Sequence, residues 1–286
     1  MQKPFALPRL SVMFTPLKPI QLRVGYARGF RPPQAFDTDL HLAFAGGGVS
    51  TVRIAPHLLP EHAQTLNVSA DLNMARPQFI LGFTLNPFLT VLEDAFVLEE
   101  LAPDGTGNRR FEKRNGNAAT VRGFTLEARL NWKRKIEWDA GFTFQESRFT
   151  EPVAWSENAA PSRDFMRTPG QYGFSTLRYS MRGNWQFSLA AIYTGIMQVP
   201  HLAGAPKQPA DALTTTSHFA DITGKVSKVF GFKNKKERLK LYAGIGNILN
   251  HYQRDFDTTR YRDSNYIYGP SRPRHVFAGV VIGIFE

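Results

Sequence analysis

Connections between apolar-alternating segments run short, long, short, long from Pro16 to the end of this chain. The short ones lie near Thr15–Pro19, Met74–Pro77, Lys133–Lys135, Met181–Asn184 and Gly231–Glu237. The long ones cover Pro32–Glu61, Glu99–Asn117, Pro152–Arg167, Pro200–Thr215 and Asn250–Arg272. A soluble sandwich has no reason to keep that beat. A transmembrane β-barrel does, because its short turns face the periplasm and its long loops face outside.

Between the turns, apolar and polar residues alternate with period two. Leu66, Val68, Ala70 and Leu72 interleave with Thr65, Asn67, Ser69 and Asp71. Phe124, Leu126, Ala128, Leu130 and Trp132 interleave with Thr125, Glu127, Arg129 and Asn131. Such a pattern predicts a sheet with one wet face. Trp132 and Trp138 flank one short turn and Trp185 follows another, all on the apolar face. In a barrel that row is an aromatic girdle at headgroup level; in a sandwich it would fill one end of the core. The expected strands are 9–15, 20–31, 63–75, 78–98, 110–132, 136–151, 168–180, 184–199, 216–230, 238–249 and 273–286. The fold class is thus all-β, an antiparallel barrel of about 11 strands. Bacterial single-chain barrels close with even numbers, so an odd count predicts a wall with a partner missing beside its first strand.

The bulk properties agree. Mean hydropathy is −0.29, and no long uncharged apolar run exists that could form a spanning helix. Barrel strands average to such a value because only every second residue is apolar. The chain has 23 Phe, 9 Tyr and 4 Trp, which suit strands and interfacial girdles. It has no Cys, which removes disulfides and thiolate metal sites. Pro4, Pro8, Arg9 and Pro16 interrupt any signal-like apolar stretch near Met1, so the sequence reads as a piece of something longer. Net charge is +11, which first suggests an anionic partner. The positions argue against nucleic acid: Lys18, Arg76, Lys133–Lys135, Arg182, Lys233, Lys235 and Lys236 sit on the short turns, whereas the long loops are mixed in sign.

Several segments carry a family resemblance. Val24–Pro33 ends an alternating strand on Phe30-Arg31-Pro32-Pro33, and Leu59-Pro60-Glu61 leads into the next strand. Gly123-Phe124-Thr125-Leu126-Glu127, Thr168-Pro169 with Leu177 and Tyr179, and Tyr193-Thr194-Gly195 follow in order. Gly246-Asn247-Ile248-Leu249-Asn250-His251-Tyr252-Gln253 and Tyr268-Gly269-Pro270 complete the series. The order and spacing resemble TonB-dependent outer-membrane receptors, whose barrels have about 22 strands and a globular plug. Residues 1–286 are then identified as the C-terminal part of such a barrel domain, with the plug and first half of the wall absent. The resemblance implies residence in the cell outer membrane, in contact with its lipid. It implies uptake of a scarce nutrient such as a ferric siderophore or cobalamin, driven by the TonB complex through a plug. It implies no enzymatic activity and no cofactor. The alternative is a self-contained barrel of ten or twelve strands, a porin or adhesin, whose first and last strands pair; a soluble β-sandwich lectin is the third reading.

The candidate site residues follow from position. Trp155, Arg163, His201, Arg254, Tyr261, Arg262, Tyr266 and Tyr268 lie in long loops, where aromatic and Arg side chains serve ligand recognition or loop ordering. Glu127, Arg129, Asp139 and Gln145 fall on the polar face, where the resemblance implies contact with the plug. Asp255, Asp257 and Asp263 lack the spacing of a calcium loop and are expected to pair with Arg254, Arg260 and Arg262. Gly244 and Gly246 are strand glycines rather than part of a dinucleotide fingerprint, since no third Gly and no helix follow. The seven histidines show no metal spacing, and no nucleophile elbow is present.

Overall fold

The computed structural model describes residues 6–34, 50–103, 105, 109–156, 158–205, 207–231, 238–258, 262–263 and 266–283. Eleven long strands form one antiparallel meander. They are β1 (Arg9–Leu17), β2 (Ile20–Arg31), β4 (Glu61–Arg76), β5 (Phe79–Glu93), β8 (Ala119–Trp132) and β9 (Ile136–Val153). The meander continues through β11 (Gln171–Met181), β12 (Trp185–Thr194), β15 (Phe219–Gly231), β16 (Arg238–Gly246) and β17 (His275–Gly283). Each strand pairs with the next long strand, and the short β10 (Ser162–Asp164) pairs with the overhanging end of β9. Among the described residues β1 pairs only with β2 and β17 only with β16, so the sheet is a partial barrel that does not close. A self-contained barrel, which needs β1 against β17, is therefore not what this chain forms. Among the described residues no second large sheet covers the first, as a sandwich requires.

The short turns are built from local chemistry. Lys18–Pro19 and Pro77–Gln78 are two-residue loops, fixed by the pairs Leu17–Ile20 and Arg76–Phe79. The β8–β9 turn places Lys133 at φ 52° and Arg134 at φ 54°, and the Arg134 N–H donates to Asn131 Oδ1 at 3.1 Å. The β11–β12 turn uses Gly183 and Asn184 in the same left-handed region. Left-handed turn residues match the twist of the flanking strands. The lysines of the β15–β16 turn lie outside the described residues.

One face of the meander is apolar and open. Leu66, Phe83, Leu85, Phe124, Trp132, Trp185, Phe187 and Leu241 are all exposed on it. On β8 the apolar run from Phe124 to Trp132 ends at Arg122, whose guanidinium pairs with Glu146 at 2.6 Å. Glu146 also meets Arg148 at 3.2 Å, and Arg148 meets Asp164 at 3.2 Å. This charged chain caps the band at the long-loop end, and Trp132 and Trp185 edge it at the short-turn end. The run between them is about the 9–11 residues a tilted spanning strand requires. The Trp138 indole N–H is satisfied across strands by Ser175 Oγ at 3.0 Å.

The small core lies at the long-loop end, where the expected strand limits fail. The strand expected over 78–98 breaks at Asp94, whose φ is 55°. The chain restarts as β6 (Phe96–Leu101), which pairs with β7 (Arg109–Asn115), and β3 (Ser50–Ile54) runs parallel to β7 on its other side. The strand expected over 110–132 likewise divides into β7 and β8. Asn115 holds this corner: its side-chain NH2 donates to Asp94 O and Leu59 O, and its Oδ1 accepts from Leu59 N. The strand expected over 184–199 ends at Thr194, and β13 (Gln198–His201) pairs with β14 (Ala212–Thr215) instead. Ala95, Val97, Ala119 and Phe149 form the buried centre, covered by Leu92, Val153, Trp155 and Phe165.

Candidate functional site

Two hollows and one knotted loop occupy the long-loop end. The first hollow, about 200 Å³, is lined by Arg31, Glu61, Phe96, Phe149, Trp155 and Phe165 among others. It forms because strand ends with different sequence signatures converge. Arg31 ends β2 and Glu61 opens β4; their register pairs them, and Arg31 Nε lies 3.5 Å from Glu61 Oε1. The other Glu61 oxygen accepts the Phe96 N–H at 3.0 Å, which docks β6 over the strand ends. Arg31 and the buried Lys113 stand 4.7 Å and 4.8 Å from the Phe96 ring centroid, a paired cation–π contact. The Phe149 and Phe165 rings lie tilted at 4.4 Å, with Trp155 on Phe149 at 6.4 Å. Trp155 lines the hollow, and its indole Nε1 is buried with no hydrogen-bond partner.

The second hollow, about 310 Å³, lies beside it between the end of β9, the 165–170 segment and β13–β14. Gln145 lines it, and its side chain donates to Pro169 O at 3.2 Å while its N–H reaches Gly170 O. The Thr168-Pro169 segment is therefore a cap on Gln145 rather than the first residues of β11.

The knotted loop gathers three of the sequence candidates. The His201 and Tyr266 rings stack at 3.6 Å with an interplanar angle of 3°. His201 Nε2 lies 2.9 Å from Asp257 Oδ2, which also accepts the Asp263 N–H at 3.0 Å. Tyr266 and Tyr268 both donate their hydroxyls to Asp255, at 2.7 Å and 2.8 Å. Gln253, 1% exposed, is the hub. Its NH2 donates to Tyr266 O and its Oε1 accepts Tyr268 N, each at 2.9 Å. Among the described residues Asp255 and Asp257 thus meet hydroxyls, an imidazole and a backbone N–H rather than Arg254 or Arg262; Arg260, the third arginine expected there, lies outside the described residues. These partners are held in place by the packing of the loop against the end of β13, whereas Arg254 lies over the Tyr252 ring at 5.1 Å.

The charge states follow from this packing. Burial raises the Asp255 carboxyl, but the hydrogen bonds from Tyr266, Tyr268, its own backbone and Gln253 outweigh it and hold the pKa below the usual range. Burial, then the bond to Asp255, pushes Tyr266 up to about 12, and the same causes raise Tyr268. Burial lowers Arg167, opposed by Asp263.

Trp155 and Arg163 belong to a third loop, apart from that of His201 and that of Tyr266 and Tyr268; Arg163 is exposed on β10, and Arg254 and Arg262 are exposed near the His201–Tyr266 stack. Tyr261 lies outside the described residues. Glu127, Arg129 and Asp139 are exposed on the polar face, with Arg129 opposite Asp139 and Gln145 further along the same face. Sequence reasoning missed Gln253 and Asn247, both buried. Asn247, at φ 47°, donates to His251 O and Arg272 O and accepts His251 N. The signal for both was the Gly246–Gln253 motif, which reads as a clamp on the loop before β17.

An open β-meander with an apolar exterior band, aromatic edges and elaborate loops at one end only is the wall of an outer-membrane barrel. The model of the TonB dependent receptor-like β-barrel family matches residues 3–248, and the chain belongs to that family. Its members are outer-membrane proteins, so this band faces lipid. Among solved structures, FpvA of Pseudomonas aeruginosa bound to pyoverdines is 11% identical with a TM-score of 0.64, over 96% of this chain and 32% of that one. The ferric-catecholate import receptor Fiu of E. coli K12 gives 15% and 0.62, over 95% and 34%. The FrpB iron transporter of Neisseria meningitidis gives 15% and 0.59, over 96% and 38%. At such identities the likeness is one of fold, and this chain spans between 32% and 38% of these structures. Comparison with the curated proteins found no match.

Proposed function

We propose that residues 1–286 form part of the barrel wall of a receptor that takes up a scarce small molecule of the ferric siderophore or cobalamin class. The short turns face the periplasm and the long loops face outside. The polar face, with Glu127, Arg129, Asp139 and Gln145, lines the lumen against a plug domain, through which the TonB complex would supply energy. The chain contributes wall and ligand contacts and no chemical step. The reading is supported by the hollow at the mouth, where the Arg31–Glu61 pair and the rings of Phe96, Phe149 and Trp155 line one wall. The Trp155 N–H is buried without a partner, which is costly unless an acceptor reaches it, and a ligand oxygen that displaces the wall would supply one. His201, Tyr266 and Tyr268 act behind it by ordering the neighbouring loop, while Arg163, Arg254 and Arg262 present charge at the rim.

The test is a binding titration by isothermal calorimetry on the protein in detergent, against ferric catecholate, ferric hydroxamate and cobalamin. Trp155→Phe keeps an aromatic ring and removes the N–H, and is expected to weaken the binding of the accepted ligand about tenfold. Equal affinity in the variant, or no binding of any of the three, would overturn the assignment.

A further inference from the structure

The opposite end carries a site that uptake does not explain. The β4–β5 and β8–β9 turns adjoin, tied by the Lys133 N–H to Gln78 O at 2.7 Å. Between them lies a hollow of about 500 Å³, lined by Arg76, Gln78, Phe79, Asn131, Lys133 and Arg134 among others. Three cations and two amides surround it, and none of its lining residues is a carboxylate. Elsewhere the described arginines commonly meet acids: Arg53 meets Glu112, Arg114 meets Glu99 and Arg178 meets Glu137. Arg76 and Arg134 meet none among the described residues. The turn is held in shape: the Arg134 N–H is bound by Asn131, the Lys135 N–H by Trp132 O, and both central residues are left-handed. The hollow also borders the apolar band. The Lys133 ammonium stands 5.3 Å from the ring of Trp132, which is 46% exposed, and Phe79 pairs directly with Trp132.

We propose that this hollow seats the phosphate of an anionic phospholipid headgroup from the adjoining leaflet. Arg76 and Arg134 supply charge and directed N–H donors, Gln78 supplies a neutral donor, Asn131 braces the turn from the polar face, and Trp132 and Phe79 receive the upper part of the acyl chains. A planar guanidinium matches phosphate oxygens in a bidentate way, and cations beside an anionic lipid surface gain attraction at short range. Convergence of the cations on one hollow, rather than their number on the rim, distinguishes a seat from a diffuse basic collar. The proposal rests on the outer-membrane reading and on the short-turn end lying at headgroup level.

The experiment is native mass spectrometry of the full chain in detergent, offered phosphatidylglycerol and phosphatidylethanolamine in equal amounts. Wild type is expected to retain phosphatidylglycerol preferentially. The double variant Arg76→Gln, Arg134→Gln should lose about fivefold in retention for each cation removed, with the strand signal in circular dichroism unchanged. One control must keep the preference, Lys18→Gln with Arg182→Gln on neighbouring turns; the charge-conserving Arg76→Lys with Arg134→Lys should lose less than the glutamine pair, since the charge stays while the bidentate geometry goes. Equal retention of both lipids by wild type, or loss of the preference in the Lys18 and Arg182 control, overturns the seat while leaving the membrane reading intact. Displacement of the lipid by millimolar inorganic phosphate assigns the hollow to a soluble phosphate and overturns the lipid. Retention of no lipid of any kind overturns both readings.

Discussion

Gln253 shows how one side chain sets the order of a long loop. Its amide bridges the backbone at Tyr266 and Tyr268 across a turn with little other regular structure, and it is almost fully buried. Gln253→Ala leaves a buried carbonyl and a part-buried N–H unpaired, which costs about 2–6 kcal/mol of local stability at ~1–3 kcal/mol per lost partner. Hydrogen exchange at the Tyr268 amide is expected to accelerate accordingly while strand amides stay protected. The same loop responds to pH at both extremes. The Asp255 pKa is depressed in the fold, so its contribution is present above the ordinary carboxylate value of about 3.9 and is lost as pH falls through the folded value. Tyr266 is raised, so its contribution is full below about 10 and is lost as pH rises through the folded value, which is about 12. Limited proteolysis near Arg254 should be slow at neutral pH and faster in strong acid, and the phenolate absorbance should titrate late. A loop cut equally fast at neutral and acid pH would contradict the assigned hydrogen bonds.

At the scale of elements, the eleven spans were legible because each obeys a rule with period two and ends on turn chemistry visible in the sequence, such as Pro77 or Asn184. The loop sheets were not legible. Apolar residues continue from Leu92 through Ala95 to Leu98, so alternation carries past Asp94 even though the backbone turns there. Only the tertiary fit of Asn115 and the close approach of Gly116 to Val97 decide where β5 stops, and no local pattern encodes them. The candidate site was half legible for the same reason: Arg31 and Glu61 stood out in separate motifs, but their meeting with Trp155 depends on that loop fold. The apolar band itself makes a depth-dependent prediction. Ala128 lies in the middle of the Phe124–Trp132 run, and Trp132 at its edge. Ala128→Arg should cost about 2–4 kcal/mol of stability in lipid, and Trp132→Arg about 0–1 kcal/mol. Urea titration of the bilayer-inserted protein measures both; equal costs would mean that this face does not cross a membrane.

The whole molecule is governed by its two open edges. Strand β1 is exposed along its entire length, including Leu10, Val12, Met13 and Phe14, and it and β17 each have one strand neighbour among the described residues. In water an open edge is an aggregation hazard; in hydrocarbon each unpaired N–H and C=O costs several kcal/mol. The inserted state therefore requires further strands against both edges. Eleven consecutive antiparallel strands leave β1 and β17 running the same way, so direct closure of this sheet on itself, or on a second copy, would force a parallel seam. Antiparallel closure needs a complement whose outer strands both run opposite to β1 and β17, which is an odd number of strands. Adding 11 more would reach the about 22 strands of plugged transporter barrels. Refolded alone in detergent, residues 1–286 are expected to show fast hydrogen exchange along Leu10–Phe14 and Val276–Val280, slow exchange in β5 and β8, and no resistance to unfolding in hot SDS. Co-refolding with a polypeptide that supplies the complement should protect both edges together, since a barrel closes at both seams or at neither. Protection of β1 and β17 in the isolated chain, with heat-resistant migration, would show that the sheet closes by itself and would overturn the half-wall reading.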